Sequence, residues 1–445
     1  MVVSSGDSIS GIRISSVVPA HVTGENVVHE LSALDLAMRL HYVKVVYFFR
    51  KDQVQGLDIY QLKKPMFSLL DLYFPVAGRI RKSESESPTA AGTGPGPAVP
   101  PFYIKCNDGG VRIVEAKCAM TLDEWLKSDE TSLNCRLVAQ QVIGPQIGFS
   151  PLVYIQFTTF KCGGLSIGLS WSHILGDAFS ASDFMNVWGD ILAGNSPGEP
   201  TLSFSKPEIP IARPLKPSLL PVKPATTVED RWEIASGETP TEHRSFRFSG
   251  PQLRQLRSKV GERFSAFEAI AAVAWKAAAA ARGEGSVRRV TVVREDRGVE
   301  GAPVIGNGRQ SVRGVGIDFD AAGADWGELA RAVAEGGADG RKEGGADGRK
   351  EIERWVEGEG YPEVEMYGGD LTLVDLEGVG CYDLRLGGRG PALVDLYVEG
   401  VGKEGAVLVL PGPDDEEGGG RVVSVCMPSD QMDSMVRALR SELGV

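Results

Sequence analysis

Apolar positions along the chain fall into blocks whose spacing predicts the elements. Val43 to Phe49 (VKVVYFF) reads as a strand buried on both faces, and Leu165 to Trp171 as a second, with Gly163 and Gly164 at the bend before it. Ile12 to Val18, Phe102 to Cys106 and Val111 to Ala116 add shorter strands. The last two flank Asn107-Asp108-Gly109-Gly110, which supplies positive φ cheaply and so predicts a hairpin. Helical spacing marks Leu34 to Leu40 behind a Ser32 cap, Ile59 to Leu72 with Pro65 near its start or bending it, and Ala181 to Leu192. The second half predicts strands around Trp232, at Phe246 to Phe248 and at Arg289 to Val293, and a helix over Ala266 to Ala281. A strand pair, Ala406 to Leu410 and Val422 to Cys426, encloses the acidic turn Asp414 to Gly420. The closing helix runs from a Ser429 cap to Leu443.

Between these blocks the rhythm is lost. Lys82 to Pro101 is a Ser, Glu, Gly and Pro segment, predicted to be a flexible excursion between two strands. Eight prolines between 197 and 224 exclude a packed helix or central strand, so that stretch is predicted to cross between domains. The organisation expected is an N-terminal domain over 1–195, a crossover over 196–228 and a C-terminal domain over 229–445. The sequence GGADGRKE occurs twice in succession, at 336–343 and 344–351, and predicts a tandem insertion in a solvent loop without a function of its own.

Composition narrows the classes of function. A 445-residue chain with 42% hydrophobic and 24% charged residues has the profile of a globular protein with a large core. A net charge of -12 argues against a nucleic-acid surface, which needs a basic face. The short basic groups, Lys63 with Lys64, Arg79 to Lys82, and Arg288 with Arg289, read as solvated surface. Six cysteines without a C-x-x-C pair support neither a zinc site nor a disulfide framework, and indicate a reducing compartment. The stretch MVVSSGDSISGIRIS shows neither a basic nor an apolar region of the kind a secretory signal has, so none is expected. The longest apolar stretch, Ala269 to Ala281, is broken by Lys276 and falls short of the roughly 20 residues of a membrane span.

Chemistry concentrates in Phe157 to Phe184, FTTFKCGGLSIGLSWSHILGDAFSASDF. His173 and Asp177 sit four apart on a tight turn between the buried strand and a helix opened by small residues. A histidine there is held rigidly with its ring facing a cavity, as a general base requires. Asp177 either orients the imidazole or pairs with an arginine to shape the loop, with Arg294 as the candidate partner. His21, His29, His41 and His243 read as surface or packing residues.

These residues carry a resemblance. HILGD, together with LDLYFPVAGRI (Leu70 to Ile80), CNDGGVRIVEA (Cys106 to Ala116), FSAFEAIAAVAWKAAAAARG (Phe264 to Gly283) and VIGNG (Val304 to Gly308), resembles the blocks of the BAHD family of plant acyl-CoA-dependent acyltransferases. SSVVPA, GEN and LDLAMRLHYVKVVYFF in the N-terminal part resemble its eceriferum and glossy branch, linked to cuticular wax. The resemblance implies an α/β (α+β) fold of chloramphenicol-acetyltransferase type, with two similar domains, each a mixed sheet flanked by helices, joined by a long crossover loop. It implies no permanently bound cofactor and no metal, with acyl-CoA as co-substrate.

Two departures qualify what is carried over. Ala178 replaces the glycine after the motif Asp. Val398, Glu399, Gly400, Val401 and Gly402 stand where the family's second signature, D-F-G-W-G, would be. Gly400 and Gly402 keep the turn, and by resemblance lie on the substrate side. The lost Asp and Trp leave catalytic competence open. The branch implies a protein that promotes very-long-chain acyl-CoA elongation by assisting a condensing enzyme, a 3-ketoacyl-CoA synthase. That places it on the cytosolic face of the endoplasmic reticulum, or in the cytoplasm. The alternative is a working O- or N-acyltransferase in which His173 takes the acceptor's proton as it attacks the thioester.

Overall fold

The computed structural model describes residues 8–83, 101–128, 131–196, 223–224, 232–233, 240–283, 285–296, 305–338, 346–347, 364–367, 369–413 and 419–443. The first half runs β1 (Ile9–Val17), β2 (Val28–Glu30), α1 (Ala33–Ala37), β3 (Tyr42–Phe49), α2 (Lys51–Val54), α3 (Ile59–Leu72) and β4 (Arg79–Lys82). It continues with β5 (Phe102–Lys105), β6 (Val111–Cys118), α4 (Leu122–Lys127), β7 (Val153–Phe160), β8 (Leu165–Ser172) and α5 (Ala178–Leu192). The second half holds β9 (Lys223–Pro224), β10 (Thr241–Phe248), α6 (Gly250–Val260), α7 (Ala266–Arg282), β11 (Arg289–Glu295), β12 (Gln310–Gly316) and α8 (Trp326–Ala338). Then follow β13 (Ala346–Asp347), β14 (Val364–Glu365), β15 (Leu371–Asp375), β16 (Leu393–Glu399), β17 (Ala406–Pro411), β18 (Arg421–Pro428) and α9 (Ser429–Leu443).

Two mixed sheets organise the chain, with strand orders β1-β6-β7-β8-β3-β16 and β10-β18-β17-β15-β11-β12-β13. Among the described residues, parallel pairing is confined to β6 with β7 and to β15 with β11 and β17. Every residue of β3 and β8 is buried, including Lys44 of β3 and the serines that alternate with Leu165, Leu169 and Trp171 in β8, as strands covered on both faces require. One apolar cluster packs α3 and α5 against the first sheet, and a second gathers α6 to α9 on the other. Capping boxes at Ser32, Asp58, Ser249 and Ser265 start their helices where the sequence places polar residues before apolar spacing.

Several sequence expectations are corrected. The strands around Asn107 to Gly110 form no hairpin, because β5 pairs with β4 and β2 whereas β6 pairs with β1 and β7. The turn instead passes the chain between sheets: Arg79 donates to the Gly109 carbonyl at 2.6 Å, and a Cβ on Gly110 would stand 2.4 Å from the Val17 carbonyl oxygen. Trp232 lies in a bend rather than a strand, its N–H on the Ile143 carbonyl at 2.8 Å. Ser429 is the first residue of α9 rather than the cap before it. The first GGADGRKE copy begins inside α8, and Ala346–Asp347 of the second forms β13 against Arg313 and Gly314; the rest of the duplication lies outside the described residues. So do most of the excursion at Lys82 to Pro101, residues 414–418 of the acidic turn, and the proline-rich crossover except Lys223–Pro224, which pairs with β14.

One strand changes allegiance. β16, from the second half, completes the first sheet by pairing with β3 from Leu393 opposite Phe48 to Glu399 opposite Tyr42.

Candidate active site

The end of β8 sets the site. Ser172 stands opposite Tyr42, and the next residue, His173, donates its backbone N–H to the His41 carbonyl at 3.0 Å. A short 3-10 turn, His173 to Leu175, leads to Gly176, and Asp177 caps α5 by accepting the Ser180 N–H at 3.0 Å. The Trp171 indole N–H donates to the Gly176 carbonyl at 3.0 Å, folding the strand end onto the turn. Gly176 is required by close approach: a Cβ there would come within 2.8 Å of the Gly306 nitrogen and the Ser180 side chain.

The second half clamps this turn. The Gly306 carbonyl accepts from Asp177 N–H at 3.2 Å and Ser180 Oγ at 3.0 Å. Asn307 Nδ2 donates both to the His173 carbonyl and to Asp35 Oδ1, each at 2.9 Å. Asp35 in turn accepts from Ser32 N–H and Oγ at 2.9 and 2.7 Å, so α1, the HILGD turn and the VIGNG loop form one hydrogen-bonded unit.

The imidazole of His173 is 1% exposed. Burial lowers its pKa to about 4, against the opposing pull of Asn307 and Asp35, so the ring is neutral at pH 7 and one nitrogen carries a free lone pair. The expected open face is absent. The Tyr367 hydroxyl lies 3.1 Å from His173 Nε2, and the Tyr367 ring packs edge-on to His41 at 4.7 Å between centroids. A cavity of about 330 Å³ lies elsewhere, against the first sheet and α3, lined by Arg13, Leu62, Glu115 and Phe157.

Asp177 makes no bond to the imidazole, and Arg294 is not its partner. Arg294 pairs with Glu268 at 3.1 Å and stacks on Phe267, because its place on β11 faces the first turn of α7. The cation that acts on Asp177 is Arg309, itself paired with Asp183 at 2.7 Å and Glu295 at 3.5 Å. Burial raises the Asp177 carboxyl to about 6, the Ser180 N–H and Arg309 opposing, and its Oδ2 has no partner among the described residues. In this geometry Asp177 stands as the cap of α5.

Gly400 and Gly402 both have positive φ, 89° and 64°. A Cβ on Gly400 would meet the Leu40 carbonyl oxygen at 2.4 Å and His41 Nδ1 at 3.3 Å, so this loop presses on the backbone beside the site. Glu399, in the degenerate signature, pairs at 3.0 Å with Lys44, whose buried ammonium also donates to the Ala139 carbonyl and Ser170 Oγ. His243 is buried and stacked on Tyr397 as a packing residue would be, and it also pairs with Asp395 at 3.5 Å, which the sequence reading did not foresee. Sequence reading missed Tyr367 and Asn307. VIGNG marked the neighbourhood of Asn307, but Tyr367 belongs to no motif.

The profile of the Transferase family matches residues 8–440. Protein ECERIFERUM 2 of Arabidopsis thaliana is 36% identical over 436 residues, covering 96% of this chain and 97% of the relative. Protein ECERIFERUM 26-like of the same plant is 34% identical over 429 residues, 96% of this chain and 94% of the relative. Among solved structures, vinorine synthase superposes with a TM-score of 0.69 at 19% identity over 96% of each chain. TRI101 of F. graminearum, solved with coenzyme A and deoxynivalenol, gives 0.67 at 14% identity, over 92% of this chain and 96% of its own. The expected two-sheet acyltransferase fold is thus borne out, and with the eceriferum proteins matched almost end to end, the chain belongs to the BAHD transferase family.

Proposed function

We propose that this chain promotes very-long-chain acyl-CoA elongation for cuticular wax, assisting a condensing enzyme of 3-ketoacyl-CoA synthase type at the cytosolic face of the endoplasmic reticulum. The near full-length likeness to the eceriferum proteins supports this. The observation that carries it is the state of the site: His173 is kept, yet its Nε2 faces Tyr367, and Glu399 and Val401 occupy the loop that would support the coenzyme A side. Within this proposal the chain divides at 1–195, 196–228 and 229–445, the ligand is acyl-CoA or its acyl chain, and Gly400 and Gly402 shape its binding side. No helix among the described residues is long and apolar enough to cross a membrane, so the partner would supply the membrane attachment.

The neutral His173 favours a second reading, direct acyl transfer. An acceptor hydroxyl would give its proton to Nε2 while attacking the thioester carbonyl, and the departing thiolate would take that proton. Expression with a condensing enzyme in a host making long acyl-CoAs separates the two. Chain lengthening, read as the fatty-acid profile, is expected to survive His173→Ala. Its loss in a folded variant would replace the first reading with the second.

A further inference from the structure

Neither reading says what the Tyr367 hydroxyl does at the imidazole it faces. A base must stand about 2.6–3.2 Å from the oxygen whose proton it takes, and Tyr367 Oη, at 3.1 Å, meets that condition for His173 Nε2. Tyr367 is 2% exposed and adopts φ of 64°, a conformation that bulky residues avoid unless their surroundings enforce it. The enforcement is visible on both sides. Val364 and Glu365 are tied into the two-stranded pairing with β9, the Met366 N–H reaches the Ala37 carbonyl at 3.4 Å, and the Gly369 N–H donates to Thr291 Oγ1 at 2.9 Å.

We propose that Tyr367 is the resident occupant of the acceptor position: its phenol stands where an acyl acceptor's hydroxyl would have to sit to reach His173, and its ring shuts the site against such acceptors. This rests on His173 being the base of the family reaction. The class of acceptor admitted once Tyr367 is trimmed is therefore a phenol, the shape of the side chain removed.

Two measurements on the full chain separate this proposal from the reading beneath it. The first needs no acyl-CoA: carbethoxylation of histidines by diethyl pyrocarbonate at pH 7, mapped by peptide mass. His21, exposed on the surface, is the internal standard. His173 is expected to label at least about tenfold more slowly than His21, and to speed up at least about tenfold in Tyr367→Ala but not in Tyr367→Phe, which keeps the ring. Tyr367→Leu serves if the alanine variant does not fold. Labelling of wild-type His173 as fast as His21, or no acceleration in a folded trimmed variant, overturns the proposal. The second supplies acetyl-CoA and p-cresol to the trimmed variant and follows free thiol. The cresol proton goes to Nε2, the C–S bond breaks as the aryl ester forms, and the proton leaves on the thiol. Cresol-dependent release that vanishes on adding His173→Ala supports the proposal. Faster labelling without any release upholds Tyr367 as the cover and overturns His173 as the base.

Discussion

Asn307 is the most informative single position to change. It is 2% exposed, and one amide group holds both the His173 carbonyl and the Asp35 carboxylate at 2.9 Å. Asn307→Asp keeps the shape and reverses the chemistry. The bond to the carboxylate is worth about 1.5–3 kcal/mol and that to the carbonyl about 1 kcal/mol, so the lost donors alone cost roughly 3 kcal/mol. An ionised carboxylate in their place would face Asp35 with a repulsion of ~6 kcal/mol at an effective dielectric of 20. The new carboxyl escapes by holding its proton, which raises its folded-state pKa above the unfolded value near 4. Stability is then greatest below that unfolded value and declines as pH rises through the folded one. Urea unfolding at pH 5 and pH 8 reads this directly: the variant should lose stability relative to wild type at both and distinctly more at pH 8, whereas Asn307→Ala should lose about 3 kcal/mol at each. An Asn307→Asp chain as stable as wild type at pH 8 would show that the amide does not clamp the turn.

Two further outcomes follow from the same geometry. Despite the opposing effect of burial, Asp395 holds the His243 imidazolium up to about 10, so its contribution is full below the unfolded value near 6.5 and is lost as pH rises through about 10. Asp395→Asn should therefore cost about 3–5 kcal/mol at pH 7 and flatten the fall in stability between pH 7 and 10; an unchanged slope in urea titrations refutes the pairing. Gly400→Ala combines positive φ with a Cβ at 2.4 Å from the Leu40 carbonyl oxygen, and should destabilise by more than about 2 kcal/mol; an unaltered melting temperature would mean the loop is not pressed against residues 40–41.

Local rules made much of this legible. Val43 to Phe49 was legible as a nearly continuous apolar run and Leu165 to Trp171 by its alternation of large apolar residues with Ser and Gly, and the bounds of α3 coincide with its spacing. The HILGD turn was legible through its small residues and lone histidine. What failed was the choice of distant partner. Tyr367 is 194 residues from His173, and nothing near it in sequence signals the contact. Arg294 faces Glu268 in the first turn of α7 while Arg309 acts on Asp177, and nothing in the local sequence of either arginine tells the two apart. The false hairpin had the same origin: turn chemistry at Asn107 to Gly110 was read correctly, but β4, which claims β5, is separated from it by the long excursion.

The exchanged strand limits how this molecule can admit anything. With Leu393 to Glu399 stitched along seven positions of β3, the halves are sewn rather than hinged, and prising them apart would tear a ladder out of the middle of the fold. Fragments ending before the stitch would leave β3 as a raw edge, so neither half should be obtainable alone.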